Sequence, residues 1–161
     1  MAYIEVDVAH QCLRFFEREG ARTAWETAIA TAKNGVGERY GSYQTPRGLH
    51  LVRAKIGAGA ARGAVFVGRR PTGEIYSPAL RQLHPQRDWV LTRILWLSGL
   101  TVGQNRLGDV DTMRRYIYIH GAPDEDPMGV PSSHGCVKMR NDDVLELFER
   151  VPAGTRVHIL A

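Results

Sequence analysis

Residues 116–121 of the chain read YIYIHG, and residues 133–138 read SHGCVK. The first run consists of aromatic and β-branched residues, and it predicts a β-strand that delivers His120 to its end. The second run places the thiol of Cys136 between a glycine and an apolar residue, with His134 two positions earlier. A cysteine and histidines at the ends of regular elements indicate covalent catalysis by a thiolate.

Short apolar runs separated by turn residues lie on both sides of these motifs. The most apolar run, residues 89–97, predicts a buried central strand. Pro71, Thr72 and Gly73 predict a turn, and the polar residues 77–88 predict a long loop that could border a substrate groove. The predicted strands cover residues 3–8, 12–16, 22–31, 49–56, 64–68, 89–97, 114–119 and 155–160.

One helix is predicted, from Asn141 to Arg150. Asn141 is expected to cap it, Asp142 and Asp143 favour its positive N-terminus, and apolar residues recur on one face. Many short strands with a single helix after the cysteine are typical of a mainly β protein with a β-sandwich or barrel-like fold. The 161 residues are predicted to form one domain, residues 1–161.

Composition and charge narrow the function classes. The net charge is +4, and 18 of the 21 basic residues are arginines scattered along the chain, so no nucleic-acid patch is predicted. No apolar run approaches the length of a membrane span. Cys12 is expected to be a small buried hydrophobe without a disulfide to Cys136. The glycine-rich residues 35–42 lack the Lys-Ser/Thr ending of a phosphate-binding loop and predict a surface loop.

Thiolate attack on an acyl carbon needs a base, a group that orients the base, and donors for the oxyanion. His134 and His120 compete to be the base, and we favour His120 because it comes from a separate strand end. The backbone amides around Gly135 and Cys136 are expected to supply the oxyanion hole. The residues alone leave open that the cysteine and both histidines only pack. No metal or cofactor is predicted, because two histidines and one cysteine lack a fourth zinc ligand.

Residues 133–136, SHGC, preceded by His120 and Gly121, resemble the signature of L,D-transpeptidase catalytic domains of the YkuD (ErfK/YbiS) family. The similarity extends over residues 116–159, and residues 41–48 resemble the Thr-Pro-x-Gly segment of that family. The resemblance implies a nucleophile, a base, a carbonyl that orients the base, and residues that line the oxyanion region and groove. In that order these are Cys136, His120, Gly121, and then Ser133, His134 and Gly135.

The resemblance also suggests groups for the carboxylates of the substrate. Members of the family commonly have Arg or Asn two residues after the cysteine, and this chain has Lys138. Lysine keeps the positive charge and loses the bidentate fork, so we expect weaker carboxylate binding there. Arg140 is the second candidate. Other Cys–His peptidases of the NlpC/P60 type do not match, because their cysteine precedes the histidine.

The resemblance implies acyl transfer on peptidoglycan stem tetrapeptides. Cys136 would attack the carbonyl at the L-centre of meso-diaminopimelate, release the terminal D-Ala and form a thioester, which carbapenems would mimic as covalent adducts. An amine acceptor gives a 3–3 crosslink, as in an L,D-transpeptidase of the cell wall, and water gives an L,D-carboxypeptidase. A non-catalytic module that binds muropeptides is the third alternative.

The N-terminal residues decide which acceptor we expect. They show neither the basic region nor the apolar segment of a secretory signal, and the chain shows no peptidoglycan-binding module. We therefore expect a cytoplasmic L,D-carboxypeptidase that recycles muropeptides with water as acceptor. The expectation becomes periplasmic if a signal peptide has been removed.

Overall fold

Ten strands and two helices make up the fold in the computed structural model, which describes residues 1–161. The strands are β1 (Tyr3–Asp7), β2 (Cys12–Phe16), β3 (Trp25–Ala30), β4 (Gly48–Ile56), β5 (Ala64–Val67), β6 (Arg70–Ile75), β7 (Val90–Gly99), β8 (Tyr118–Gly121), β9 (Val137–Met139) and β10 (Arg156–Leu160). The helices are α1 (Pro78–Leu83) and α2 (Asn141–Arg150). No helix is both long and apolar enough to cross a bilayer.

The strands form one sheet in the order β4-β10-β1-β2-β3-β9-β8-β7-β5-β6. Because β4 also pairs with β7, eight strands close into a barrel, and the β5–β6 hairpin extends from β7. Two neighbouring pairs are parallel, β1 with β10 and β8 with β9, and the others are antiparallel. The predicted mainly β, barrel-like fold is confirmed.

The main hydrophobic core is built by alternate residues of the strands and by one face of α2. The period of two follows from strand geometry, in which successive side chains point to opposite faces. Three residues of α2 join the same cluster because they recur at helical spacing. Representative core residues are Ile4, Val6, Leu13 and Phe15 from the first hairpin and Val144, Leu147 and Phe148 from α2.

β7 is the central strand that the apolar run predicted. One of its edges pairs with β8, and the other pairs first with β5 and then with β4. The register against β8 breaks between Leu91 and Ile94. Thr92, inside this break, is fully buried and has a φ of 73°.

Two predictions about the segment before β7 are wrong. The turn expected at Pro71 to Gly73 lies inside β6, and the hairpin instead turns at Gly68 and Arg69, whose φ values are 56° and 65°. Two positive φ values match the twist of a tight hairpin, and edge strand β6 tolerates the proline. The loop expected at residues 77–88 contains α1, which Ser77 caps by accepting a hydrogen bond from the Leu80 amide at 3.1 Å.

The region around the cysteine also differs from prediction. The strand before His120 begins at Tyr118 rather than at Arg114, and the short strand β9 directly follows Cys136. Asn141 does not cap α2: Arg140 holds the cap position, and no side chain caps the helix. Asn141 is buried, and its amide bonds to other segments instead.

Candidate active site

The parallel pairing of β8 and β9 brings the two sequence motifs together. Ile119 pairs with Val137 and His120 with Lys138, so Cys136, directly before β9, lies beside the beginning of β8. His120 and Cys136 line the same groove, which has a volume of about 600 Å³. This size is typical of a pocket for one small ligand.

The thiol of Cys136 is half-buried and lies against the backbone of the preceding segment. Sγ accepts a hydrogen bond from the Tyr118 amide at 3.3 Å and donates one to the Tyr116 carbonyl at 3.4 Å. Burial raises the pKa of the thiol to about 12, with the Tyr118 amide opposing the rise, the charge of Asp88 adding to it and Arg115 opposing it. The resting group is therefore the neutral thiol.

His120 is buried, and its tautomer is determined by a backbone carbonyl. Nδ1 lies 2.6 Å from the Gly121 oxygen, which can only accept, so Nδ1 carries the proton and Nε2 the lone pair. Burial lowers the pKa of His120 to about 4, the Gly121 carbonyl opposes this shift and Lys138 adds to it. No hydrogen bond joins the imidazole to the thiol. With these pKa values, both groups are neutral at pH 7.

Two hydroxyls hold the backbone that carries the thiol. Ser133 Oγ donates to the Cys136 carbonyl at 2.6 Å and accepts from the Gly135 amide at 3.2 Å. Thr45 Oγ1 donates to the Gly135 carbonyl at 2.9 Å. The Gly135 amide is thus already paired, which leaves the Cys136 amide as the backbone donor to consider for an oxyanion.

Gly135 is required both by its backbone angle and by space. Its φ is 131°, and a Cβ there would lie 3.0 Å from Ile117 Cδ1 and 3.2 Å from the Gln44 oxygen. Thr45 belongs to residues 41–48, which carried part of the family resemblance, but its contact with Gly135 was not predicted. The threonine of that segment was the only signal in the sequence.

His134 lies on the groove wall with an exposed side chain. Its Nδ1 is 3.1 Å from Asp88 Oδ1, and its ring makes an edge contact with Tyr43 at a centroid distance of 5.8 Å. It makes no hydrogen bond to Cys136. Of the two candidate bases, His120 is therefore the one whose tautomer leaves a lone pair inside the protein.

The predicted carboxylate-binding residues separate in the structure. Lys138 lines the groove, with Nζ 3.3 Å from Asp126 Oδ2, whereas Arg140 is exposed outside the groove, 3.9 Å from Asp143. Arg81 of α1, which the sequence did not single out, also lines the groove and donates to Asp126 at 2.8 Å. Lys138 and Arg81 thus place two cations at this end of the groove, facing the carboxylate of Asp126 and that of Glu125, which lies 3.9 Å from Arg81.

Arg115 connects the groove to the glycine-rich loop. Its guanidinium is partly buried and donates to the carbonyls of Gln44 at 2.5 Å and Gly37 at 3.1 Å. These bonds hold the loop, and with it the exposed rings of Tyr40 and Tyr43, at the groove mouth. The predicted surface loop is thus also a groove wall.

A thiol and an imidazole that line one groove are the arrangement expected of an enzyme that uses cysteine. The family model for the YkuD L,D-transpeptidase catalytic domain matches residues 1–159, and the chain belongs to this family. The family assignment expected from SHGC is confirmed.

Curated relatives and solved structures are consistent with this family. The putative L,D-transpeptidase YkuD of Bacillus subtilis (strain 168) is 44% identical over 89 residues, covering 55% of this chain and 44% of that protein. A putative L,D-transpeptidase of Fuscovulum blasticum is 28% identical over 104 residues, covering 62% of this chain and 50% of that protein. The chain thus spans half or less of the length of these relatives.

Two solved structures show the same fold. An L,D-transpeptidase of Enterococcus faecium has a TM-score of 0.58 and 21% identity, covering 99% of this chain and 49% of that one. The L,D-transpeptidase LdtMt1, solved in complex with imipenem, has a TM-score of 0.57 and 17% identity, covering 99% of this chain and 58% of that one.

Proposed function

We propose that the protein is an L,D-carboxypeptidase that removes the terminal D-Ala from peptidoglycan stem tetrapeptides by way of a Cys136 thioester. The observation that carries the proposal is that Cys136 lines the same groove as a buried His120 whose Nδ1 is held by the Gly121 carbonyl at 2.6 Å. The family membership supplies the substrate class. Water is the proposed acceptor because hydrolysis needs no binding site for a second peptide.

The neutral resting pair supports general-base catalysis. As Sγ attacks the carbonyl at the L-centre of the diamino acid, Nε2 of His120 takes the thiol proton and the C–S bond forms. The Cys136 amide and the side chain of His134 are the proposed donors to the oxyanion. Catalytic hydrogen bonds often form or tighten only when substrate is bound, so the absence of a thiol–imidazole hydrogen bond in the free protein is compatible with this role.

His120 next returns the proton, first to the leaving group and later to the thiol. His120 gives its proton to the departing amine of D-Ala as the C–N bond breaks, which leaves the thioester. His120 then takes a proton from water, the new C–O bond forms, the C–S bond breaks, and the thiol regains its proton. The tetrapeptide and one water thus become a tripeptide and free D-Ala.

Lys138 is the proposed partner for a substrate carboxylate, with Arg81 beside it. Both cations share Asp126, and Glu125 lies 3.9 Å from Arg81, so a substrate carboxylate would bind these cations in competition with the two carboxylates of the protein. Arg140 is left out of this proposal because it lies outside the groove. Lys138→Met should therefore raise the KM for the tetrapeptide more than it lowers kcat.

Mass spectrometry of the purified protein with a tetrapeptide in ¹⁸O-labelled water tests the function. We expect loss of one alanine and one ¹⁸O in the tripeptide. Cys136→Ala and His120→Ala should abolish the reaction, while Cys12→Ala, at the other free cysteine, should keep it. A product that is only a crosslinked dimer would support the rival 3–3 L,D-transpeptidase, and an active Cys136→Ala variant would refute the nucleophile.

A carbapenem separates the enzyme from a non-catalytic muropeptide-binding module. LdtMt1, similar in fold, was solved in complex with imipenem, and we propose that imipenem acylates Cys136 here. The intact mass should rise by one drug molecule in the native protein and in Cys12→Ala, and it should stay unchanged in Cys136→Ala. An unreactive thiol together with tight muropeptide binding would favour the binding module.

A further inference from the structure

A bulge in β7 lies directly opposite the proposed base. Leu91 pairs with Gly121 and Ile94 with His120, so Thr92 and Arg93 have no partners on β8. Thr92 is fully buried with a φ of 73°, a region that β-branched residues rarely adopt. Strain of this kind persists only where the surrounding structure holds it, and both bulges and strained residues concentrate at functional sites.

The bulge directs the hydroxyl of Thr92 at Asn141. Thr92 Oγ1 donates to Asn141 Oδ1 at 2.6 Å and accepts from the Gly63 amide at 2.9 Å. The hydroxyl is thus used once as donor and once as acceptor, and both bonds are buried, as is usual for a buried polar group. The strained backbone of Thr92 is thus coupled to one particular side chain of α2.

Asn141 connects this contact to the backbone on both sides of the Gly121–Ala122 peptide. Its Nδ2 donates to the Ala122 carbonyl at 2.8 Å and to Asp124 Oδ1 at 3.1 Å. Its Oδ1 lies 2.5 Å from the point that a Cβ on Gly121 would occupy. The amide of Asn141 therefore fills the space beside Gly121 and holds the next carbonyl. Because the peptide between Gly121 and Ala122 is planar, its carbonyl can turn only about the bonds to the two flanking Cα atoms. Asn141 restricts both ends, since it fills the space beside the Gly121 Cα and holds the Ala122 carbonyl.

We propose that Thr92 and Asn141 are positioning residues that hold the Gly121 carbonyl against Nδ1 of His120 and keep the lone pair on Nε2. The proposal rests on the proposed roles of His120 and Cys136. Neither Thr92 nor Asn141 lines the groove, so their effect runs through His120 rather than through substrate. Misplacement of a catalytic group by about 1 Å can cost about 100-fold in rate, which is the scale expected when this contact is lost.

Two variants of Thr92 isolate the hydroxyl. Thr92→Val keeps the shape and removes the hydroxyl, whereas Thr92→Ser keeps the hydroxyl. Imidazole ¹⁵N NMR should show His120 as the Nδ1–H tautomer in the native protein and in Thr92→Ser, and as a mixture of tautomers in Thr92→Val. The kcat of Thr92→Val should fall about 100-fold with KM changed less than about threefold, while Thr92→Ser retains most of the native kcat.

A second buried asparagine provides the control for stability. Asn105 accepts from the Thr101 amide and donates to the carbonyls of Arg47 and Leu49, at 2.9 to 3.0 Å, and lies outside the groove. Asn141→Leu and Asn105→Leu should both lower the midpoint of thermal unfolding. Only Asn141→Leu should change the His120 tautomer and the kcat.

The tautomer of His120 in the variants, together with their kcat, decides whether the positioning proposal holds. A native Nδ1–H spectrum and a native kcat in Thr92→Val or in Asn141→Leu would overturn it, as would an equal loss of kcat in Asn105→Leu. If Thr92→Val does not fold, Asn141→Ser, which is too short to reach the Ala122 carbonyl, gives the same readouts. The NMR measurement needs no substrate, so it tests the positioning of His120 independently of activity. An active His120→Ala variant would instead refute the proposed function.

Discussion

The substitution Ser133→Ala tests how the protein holds its nucleophile. Ser133 Oγ is the partner of both the Cys136 carbonyl and the Gly135 amide, at 2.6 and 3.2 Å. Alanine removes both bonds and leaves the buried Gly135 amide without a partner, which costs about 1–3 kcal/mol. For a chain of this size, about 2 kcal/mol lowers the midpoint of thermal unfolding by about 4–8 °C.

The neighbouring residue supplies a matched control. The Oγ of Ser132 is buried with no hydrogen-bond partner, and Ser132 lines the same groove. Ser132→Ala removes a hydroxyl of the same size and leaves nothing unpaired, so its unfolding midpoint should equal or exceed that of the native protein.

Circular dichroism melts and the rate of acylation of Cys136 by imipenem measure both consequences. Ser133→Ala should melt lower and acylate more slowly, because the backbone beside the thiol loses its restraint. Ser132→Ala should acylate at about the native rate. Equal melting midpoints in the two variants would refute the reasoning, since then the paired and unpaired hydroxyls would contribute alike.

Three further predictions follow from charge, burial and space. Burial raises the pKa of Cys136 and the charge of Asp88 adds to the rise, so Asp88→Asn should shift the pH dependence of Cys136 alkylation to lower pH; an unmoved pH profile would contradict this. Burial lowers the pKa values of His50 and His120 to about 4. The unfolded chain therefore binds protons first, and the free energy of unfolding should fall between about pH 6.5 and 4 by up to roughly 3 kcal/mol per histidine; urea titrations at pH 7 and 4.5 that agree would argue against it. Gly121→Ala would place a Cβ 2.6 Å from the Leu91 carbonyl and should cost about 1–3 kcal/mol in urea unfolding, whereas a native stability would show that β7 yields.

Local patterns were sufficient for most of the barrel. Alternating apolar residues predicted the first hairpin, because strand side chains alternate between core and solvent, and a continuous apolar run predicted the buried strand β7. The apolar face of α2 predicted its bounds, Asn141–Arg150, as the structure has them. These elements carry their signal within a few neighbouring residues.

The sequence did not predict the strands that exist only because other strands of the chain pair with them. β9 has three residues and exists because β3 and β8 pair with it from both sides. β6 carries a proline and a glycine, which indicate a turn in sequence but are tolerated on an edge strand. Neither feature can be derived from the segment alone, since the pairing strands come from elsewhere in the chain.

The site, like the fold, has features that local sequence predicts and features that depend on contacts between distant segments. The motifs YIYIHG and SHGC name a thiol, two histidines and a family from residue types and order, which is local information. The tautomer of His120, the pairing of Ser133 with Cys136 and the burial of Asn141 against Thr92 depend on backbone geometry. Asn141 shows the reason: an asparagine before two aspartates is typical of a helix cap, yet its partner Thr92 lies 49 residues away in a bulge. Residue types therefore name the chemistry, and contacts between distant segments determine which atoms can perform it.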